Sequence, residues 1–426
     1  MNKTLYTLCI VISVSLSLRA QVFSDSFTSS STPQPSASWI DSKVLKERWK
    51  NVRIIGIGEA SHGTREFFEI RHALTSFLIQ EMNVKFILVE ASNLRMELLN
   101  QYIQGDSVSL DSALLAMQRW VLRTASFREN IIWLKHYNAT RPTNQRTQIF
   151  GIDQDNYTAS SLRLVEVLRH IQPTDTFADH IFDKLNLAQK ISAFQRLKKM
   201  EKDEVEKLFS VFDEIENYLH QSIFAQLDVN HHKKWEEALY HLENLRAVWR
   251  YALASAKSSG KGYSLIRDRE MARNVNWRMN RISVEEKVVI WAHNEHIERA
   301  NMRMKGMGYY LDKDWGDLYY ALGLEFKEGR CTVFDPSQQK LVTSYFDPPT
   351  TGIDHYLTNN AQEIQFLDLH HRDYQHLANH KIWIHDIPAI RIDKKYALEK
   401  IKPIKHFDGI VYVRTSHPSL ILYMNK

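Results

Sequence analysis

Residues 58–63, with the sequence GEASHG, place a carboxylate and an imidazole three positions apart in a short polar turn. A neighbouring carboxylate orients an imidazole and raises its basicity, and a histidine with a near-neutral pKa can take a proton from water. Glu59 and His62 are therefore candidates for a general-base pair. Arg71 lies two helical turns after Thr64, on a face that should be buried. Because a buried guanidinium needs an anion, Glu59 is its expected partner.

Three further apolar runs end in ionisable side chains, which provide the rest of a candidate catalytic site. Glu90 and Asp153 each follow a run of strand length, and His293 follows another, with His296 three residues on. A second histidine or an arginine in such a cluster can stabilise the oxyanion that forms when water attacks an ester or amide. Strands must end at polar residues, so one such end means little. Histidines at two separate ends favour a site.

The same residue types also suit a divalent metal ion, because three imidazoles and one carboxylate leave room for a bound water. The candidate ligands are His62, His293, His296 and either Glu59 or Glu90. The residues by themselves leave metal-free attack by water and metal-assisted hydrolysis equally open. Other chemistry is disfavoured, because the sequence contains no G-x-S-x-G, P-loop or G-x-G-x-x-G motif.

The apolar runs before these polar residues have the length and composition of β-strands that are buried on both faces. The runs are residues 52–57, 84–89, 148–152, 287–292 and 318–324. Helical patterns separate the earlier runs, and this alternation predicts an α/β fold with a mostly parallel central sheet covered by helices. In such a sheet the carboxyl ends of the strands meet at one edge, where ligands bind. The fifth run is expected to end at Glu325.

Residues 175–281 have a different pattern, with amphipathic helices rich in Lys, Glu and Leu. We expect a helical insertion there, between the third and fourth core strands, which divides the α/β core into residues 41–174 and 282–426. An insertion at this place can act as a lid that excludes water from the site. Its last helix carries a charged run at residues 267–269 that can reach the site edge, although such runs more often face solvent.

The chain after the fifth strand is expected to add structure and no assignable chemistry. Short apolar runs at residues 366–369, 382–384 and 409–413 are strand candidates that would extend the sheet. Cys331 follows no recognisable nucleophile pattern, so a cysteine hydrolase is disfavoured and the thiol is expected in the core.

The first 20 residues have the form of a secretory signal, with Lys3 ahead of an apolar segment and Ala20 at the expected cleavage point. Residues 21–40, rich in Ser, Thr and Pro, are expected to be a flexible lead-in. We therefore expect export to the periplasm or the extracellular space, with no stable membrane anchor after cleavage. Loss of the two cations Lys3 and Arg19 lowers the formal net charge of +5 to +3, which is too small to favour nucleic acid as a partner.

Several motifs of this sequence, taken in order, resemble the signature of the erythromycin esterase family. The first block is GEASHGT at residues 58–64, with EFFEIR at residues 66–71. The later blocks are VEA at residues 89–91, RDREMA at 267–272 and WAHNEH at 291–296, followed by a similar pattern at 307–320. The resemblance runs from about residue 53 to residue 329, and the ordered set is specific although any single block is weak.

The resemblance implies an α/β core with a helical insertion that hydrolyses the lactone ester of a macrolide, which would confer antibiotic resistance. By position in the family motif, His62 would be the general base. Its site partners would be Glu59, Arg71, Glu90, His293 and His296. Some members of the family are thought to need no metal, so no cofactor is expected, with a divalent metal as the alternative. The expected partner is a small-molecule macrolide.

This sequence departs from the family pattern at two positions. Ser61 stands where threonine is commoner, and Glu295 stands between the two histidines where a small residue is frequent. Because a fold and its site can serve other substrates, two further functions stay open. One is a metal-dependent hydrolase of another ester or amide, and the other is a non-catalytic protein that binds a glycoside or lipid.

Overall fold

The computed structural model describes residues 41–117, 119–153, 157–171, 176–191, 202–223, 229–257, 261–357 and 362–422. The expected signal segment, residues 1–20, and the lead-in, residues 21–40, lie outside the described residues. Among the helices that the structure describes, none combines the length and the apolar composition that crossing a membrane requires.

An eight-stranded sheet lies at the centre of the described chain, next to a separate two-stranded sheet. In chain order the strands are β1 (Ile54–Ile57), β2 (Val84–Ser92), β3 (Gln148–Asp153), β4 (Lys287–Trp291), β5 (Tyr319–Asp335), β6 (Lys340–Phe346), β7 (Ile364–Asp368), β8 (Ile382–His385), β9 (Leu398–Ile401) and β10 (Gly409–Ser416). The central sheet has the order β3-β2-β4-β1-β5-β10-β7, and β6 pairs with β5. All neighbouring pairs from β3 to β10 are parallel, whereas β6 and β7 pair antiparallel. The predicted α/β fold with a mostly parallel sheet is confirmed.

The described helices follow the strands in the alternation that the sequence predicted. They are α1 (Ser42–Trp49), α2 (Arg65–Glu81), α3 (Asn93–Gln104), α4 (Leu110–Ala116), α5 (Ala125–Ala139), α6 (Tyr157–Ile171), α7 (Phe177–Ile191), α8 (Lys202–Ile223), α9 (Val229–Lys257), α10 (Lys261–Met279), α11 (Asn294–Ile297), α12 (Met307–Trp315), α13 (Gln375–Asn379) and α14 (Pro403–His406).

The central strands are buried on both faces, which explains their nearly continuous apolar sequences. Every residue of β1 and β4 is buried. Ile55 and Ile57 pack into one apolar cluster with α2, α3 and α5, whereas Ile54 packs into a second cluster with α10 and α12. Cys331 lies in the first cluster and is fully buried, as expected of a core thiol.

The fifth strand is longer than the sequence predicted. We expected it to end at Glu325, but β5 continues to Asp335. Residues Gly329 to Asp335 pair with β6, and Glu325 itself pairs with Tyr412 of β10. Because pairing with β10 and then with β6 continues to satisfy backbone groups along the strand, a buried carboxylate inside it does not end it.

Of the three late apolar runs, two extend the central sheet as expected and one does not. β10 pairs with β5 and β7 pairs with β10, but β8 pairs with β9 in the separate two-stranded sheet. Ile382 and Ile384 of β8 are buried in the apolar cluster of the α10 face. The apolar side chains of β8 are therefore buried against this cluster, although the strand is not part of the central sheet.

Helices α6 to α10 fill the described chain between β3 and β4, so the predicted helical insertion is confirmed. Helices α6 to α9 share an apolar cluster of their own, which includes Leu164, Phe212 and Leu242. In contrast, α10 buries Met271 and Val275 against the sheet. This packing places the charged run at residues 267–269 near the carboxyl ends of the strands. The boundaries of the insertion at residues 175 and 281 stay a prediction.

Candidate active site

The register of the parallel strands aligns the ends of β1, β2 and β4. Ile57 and Val89 both lie opposite Trp291. The polar residues that follow this row gather at the carboxyl edge of the sheet, where the sequence placed them. They are Glu59, His62, Glu90, Asp153, His293 and His296.

Two glycines let the turn after β1 fit tightly between neighbouring elements. A Cβ atom on Gly58 would lie 2.0 Å from Oδ1 of Asn294. The side-chain amide of Asn294 is itself held in place, because it forms hydrogen bonds with the backbone N–H and the carbonyl oxygen of Leu324. A Cβ atom on Gly63 would lie 1.9 Å from the carbonyl oxygen of Thr332 in β5. Because neither position leaves room for a side chain, the turn is fixed between the end of β4 and the extended part of β5.

Glu59 connects the imidazole of the turn to the guanidinium of α2. Nδ1 of His62 lies 2.7 Å from Oε1 of Glu59, and Nη1 of Arg71 donates to Oε2 at 2.7 Å. Burial acts to raise the pKa of Glu59, but Arg71 and His62 outweigh it and the pKa is lowered. When the ionised carboxylate accepts a proton from Nδ1, a ring with one N–H carries its lone pair on Nε2. Within the described residues, no hydrogen bond reaches that nitrogen.

Arg71 also holds the turn in place through hydrogen bonds to the backbone. Its Nη2 atom donates to the carbonyl oxygens of Ala292 at 2.7 Å and Ile57 at 3.2 Å, so one side chain joins the ends of β4 and β1. The guanidinium is 3% exposed. The ion pair between Arg71 and Glu59 that the sequence predicted is therefore present, and it is buried.

His293 precedes α11 and is held by its neighbours on three sides. Its backbone N–H donates to Oε2 of Glu90 at 3.0 Å, and its Nε2 donates to the carbonyl oxygen of Ile387 at 3.2 Å. Its Nδ1 atom lies 3.4 Å from Oδ1 of Asp386. Burial lowers the pKa of His293 although Asp386 opposes the shift, so the ring is neutral near pH 7. Its ring centroid lies 4.9 Å from that of His62.

Arg267 of α10 joins the carboxylates of β2 and β3. Its Nη2 donates at 2.7 Å both to Glu90 and to Asp153, and its Nε donates to Asp153 at 3.0 Å. Burial acts to raise the pKa of both acids. His296 and Arg267 nevertheless hold the pKa of Glu90 well below its ordinary value, and Arg267 lowers that of Asp153. Both carboxylates are therefore ionised at neutral pH.

His296 lies between two carboxylates and Arg267. Its Nδ1 donates to Asp268 at 2.7 Å, while its Nε2 is 2.9 Å from Nη1 of Arg267 and 3.3 Å from Glu90. A neutral ring would accept from Arg267 at Nε2, whereas a protonated ring donates to Glu90. Burial acts to lower the pKa of His296, but Asp268 and Glu90 raise it well above its ordinary value. The protonated ring is therefore favoured.

A cavity of about 300 Å³ opens beside these residues. Its polar lining is Glu59, His62, Arg71, Glu90 and Arg119. The remaining lining is Phe68, Val89, Trp120, Val121, Leu122, Trp291 and Ala389. A mostly apolar cleft with a few convergent polar groups is the usual form of a small-molecule site.

The predicted set of metal ligands does not converge. Within the described residues, the group whose ligand atoms all lie within 4.8 Å of one another is His293, Glu295 and Asp386. Neither His62 nor His296 belongs to it, so the structure does not bring the three imidazoles together as a single group of this kind, and the metal set stays a prediction. The physical reason is that Nδ1 of His62 and both ring nitrogens of His296 already face carboxylates or a guanidinium.

Asp386 was not predicted as a site residue, and the charged run of α10 was expected to face solvent more often than the site. Arg267 and Asp268 lie in the site, whereas Arg269 is 57% exposed, as a solvent-facing run would be. Asp386 follows β8, and it reaches the site because the N–H of Ile387 donates to the carbonyl oxygen of Ala60 at 2.8 Å. A histidine and an acidic residue after the apolar run at 382–384 were the available signal, but the run was interpreted only as an extension of the central sheet.

The comparison with family models gives one family for most of the chain. The erythromycin esterase model matches residues 79–416. The turn that carries Glu59 and His62 precedes the matched range, so the assignment of these two residues depends on the geometry described above.

Known proteins match over nearly the whole length. Erythromycin esterase type II of Escherichia coli is 23% identical over 418 residues, which cover 91% of this chain and 96% of that protein. A crystal structure of a protein from Bacillus cereus matches with a TM-score of 0.77 and 20% identity, covering 92% of this chain and 95% of that one. A mutant of the erythromycin esterase EreC in its open conformation matches with a TM-score of 0.64 and 19% identity, covering 90% of this chain and 95% of that one.

Proposed function

The chain belongs to the erythromycin esterase family, and from this membership we propose that it hydrolyses the macrolactone ester of erythromycin-like antibiotics. One observation carries the proposal. His62 lines the cavity with its Nδ1 atom bound to an ionised, buried carboxylate, so its Nε2 atom is left to accept a proton. This arrangement suits direct attack by water on a carbonyl group held in the cavity.

In the proposed mechanism His62 acts as the general base. A water molecule between Nε2 and the ester carbonyl loses a proton to the imidazole as its oxygen attacks the carbonyl carbon. Glu59 stabilises the imidazolium that forms, and Arg71 keeps Glu59 ionised and in place. The intermediate then collapses, the bond from carbon to the alkoxy oxygen breaks, and that oxygen takes the proton from Nε2 of His62. The base is thereby restored without any change in the buried ion pair.

The oxyanion that forms needs a positive environment, and His296 with Arg267 provides one. Both cations contact Glu90, which lines the same cavity as His62. Groups that are fixed before the reaction stabilise developing charge without reorganisation. His293 contributes by orientation, because its neutral ring packs beside His62 and its backbone N–H holds Glu90.

The cavity also limits how a macrolide would bind. Its volume of about 300 Å³ is at the lower end for ligand sites, so it would hold the ester and adjoining apolar carbons while the rest of the ring lies outside. Trp120 and Trp291 supply aromatic surface for that apolar part. The proposal therefore places the reacting carbonyl deep in the cavity and the sugars towards solvent.

Incubation of the purified protein with erythromycin, followed by mass spectrometry, tests the proposal. We expect the antibiotic to gain the mass of one water molecule. An unchanged mass together with measurable binding would contradict the proposal and favour the non-catalytic binding protein. His62→Ala protein is the matched control, because it should bind the antibiotic without opening it.

We also propose that the protein is exported, with cleavage between Ala20 and Gln21. The basic start, the apolar segment and the small residue at position 20 support this proposal. Amino-terminal sequencing of the protein from the periplasm or the medium should begin near Gln21. Recovery of protein with Met1 intact would contradict it.

A further inference from the structure

One wall of the cavity is a continuous segment between α4 and α5. Four consecutive residues line the cavity there, namely Arg119, Trp120, Val121 and Leu122. Val121 and Leu122 are buried in the apolar cluster that also contains β1, so the segment is anchored to the core. The side chain of Arg119, in contrast, is 56% exposed. The segment therefore presents one cation beside the cavity in a wall that is otherwise apolar.

Most N–H groups of the Arg119 side chain have no protein partner among the described residues. A guanidinium carries several donors in a planar fork. Nη2 of Arg119 donates to Oδ2 of Asp153 at 3.3 Å, and this is the hydrogen bond that its side chain makes within the described part of the chain. Asp153 does not depend on that bond, because Arg267 donates to both of its carboxylate oxygens. Arg119 is therefore tethered beside the site with donors left over.

The other arginine of the cavity lining is held by the protein itself. Arg71 is buried, and both of its terminal nitrogens already donate, one to Glu59 and the other to two backbone carbonyl oxygens. Its Nε atom is buried as well. Of the two arginines that line the cavity, Arg119 is thus the one that combines exposure with donors for a bound molecule.

The exposure of Arg119 suits the part of a substrate that extends out of the cavity. The cavity of about 300 Å³ holds the ester and adjoining carbons, so the rest of a large lactone ring passes the exposed residues of its wall. The ring of erythromycin carries hydroxyl and ketone oxygens, and the apolar side chains of the wall offer these oxygens no donor. A guanidinium in this wall can donate to them.

We propose that Arg119 is a specificity-determining residue that donates hydrogen bonds to an oxygen substituent of the lactone ring near the ester. The inference rests on the proposed hydrolase function and narrows its substrate class to lactones that carry such oxygens. A site that pairs with an oxygen of its substrate discriminates against an analogue without that oxygen. Because water can replace the partner of an exposed donor, the discrimination by Arg119 should be moderate, about tenfold.

The rates at which wild-type and Arg119→Met protein open two lactones test this proposal. One lactone is erythromycin, and the other is a macrolactone whose ring is pure hydrocarbon apart from the ester. For Arg119→Met we expect kcat/KM to fall by about tenfold with erythromycin, because a hydrogen bond from a charged donor is lost. The loss should lie in KM and spare kcat, because the bond is already made in the bound substrate. The hydrocarbon lactone should be opened as by the wild type.

Two controls separate recognition of the substrate from a structural role. Arg391 is 52% exposed and pairs with the buried carboxylate of Asp335 at 2.7 Å, so it repeats the setting of Arg119 without lining the cavity. Arg391→Met should therefore keep the wild-type rates with both lactones. Arg119→Lys retains a charged donor and should recover part of the loss with erythromycin. Melting temperatures of all variants verify that they are folded.

Several results would overturn the assignment. Equal losses of kcat/KM with the two lactones, or a loss with erythromycin that lies in kcat, would show that Arg119 does not select the oxygen substituent. An unchanged or higher rate with erythromycin would show that Arg119 makes no favourable contact with it. If the wild type opens only the hydrocarbon lactone, ester hydrolysis stands and the substrate class is wrong. If it opens neither lactone, the proposed function fails, and the assignment fails with it.

Discussion

The turn after β1 and the end of β4 both supply histidines to the same edge of the sheet, but they hold them differently. His62 has its Nδ1 atom bound to Glu59, while Nε2 has no partner among the described residues. At the end of β4, both ring nitrogens of His293 and both of His296 face charged or carbonyl groups. One region therefore leaves a ring nitrogen without a contact among the described residues, and the other does not.

This difference separates chemical roles that residue type cannot distinguish. A base needs a free lone pair and a fixed tautomer, which the turn provides through a single buried carboxylate. A cation that stabilises developing charge needs fixed partners, which the end of β4 provides through Glu90, Asp268 and Arg267. The predictions below test whether the two regions depend on their partners in these different ways.

The largest effect is expected at the buried cation of the turn. Arg71→Met leaves the carboxylate of Glu59 buried without its partner, which should cost about 3–5 kcal/mol of unfolding free energy. Denaturant unfolding at pH 7 measures the loss. Arg65→Met on the same helix is the matched control, because Arg65 is itself half-exposed and Glu66 keeps its hydrogen bonds to His417. Loss of the Arg65 pairs with Glu66 and Glu69 should therefore cost about 1 kcal/mol or less. Equal losses in the two variants would contradict the distinction.

A smaller effect is expected from the protonated ring at the end of β4. His296→Ala removes a positive charge from the oxyanion region, and kcat should fall by roughly 10²–10³-fold. The control is His370→Ala, since His370 pairs with Asp408 on a half-exposed surface and should leave kcat unchanged. A folded His296→Ala enzyme with the kcat of the wild type would show that this region has no catalytic part.

The smallest effect is expected from removal of metal ions. Glu59, Arg71 and Glu90 already serve the histidines as ionic partners, so prolonged treatment with a chelator should leave the rate of hydrolysis unchanged. Zinc bound in a stoichiometric amount, with activity lost on its removal and restored on its return, would contradict this and revive the metal-dependent alternative.

The sequence predicted the parts of the fold that depend on local pattern. Apolar runs of strand length predicted the central strands, and the rule that parallel strands share an edge placed Glu59, Glu90 and His293 together. The ion pair between Arg71 and Glu59 followed from helical spacing and the cost of a buried charge. These predictions depend only on the order of nearby residues and on the alignment of adjoining strands. They do not depend on how the side chains pack.

The parts that the sequence did not predict depend on distant contacts. Asp386 enters the site through a backbone hydrogen bond between Ile387 and Ala60, and no periodicity encodes that contact. The continuation of β5 beyond Glu325 depends on pairing with β6 and β10. The separation of the proposed metal ligands has the same origin for two of them, because Asp386 and Asp268, which come from other elements, face the rings of His293 and His296.

The most direct test of the account is the rate of ester hydrolysis by His62→Ala, measured together with its melting temperature. We expect kcat to fall by ~10²–10⁴-fold while the melting temperature stays near that of the wild type, because the residue lies in a turn outside the apolar core. His62→Asn should be no better, since an amide cannot accept the proton. A folded His62→Ala enzyme that keeps more than about a tenth of the wild-type kcat would contradict the claim that His62 is the base.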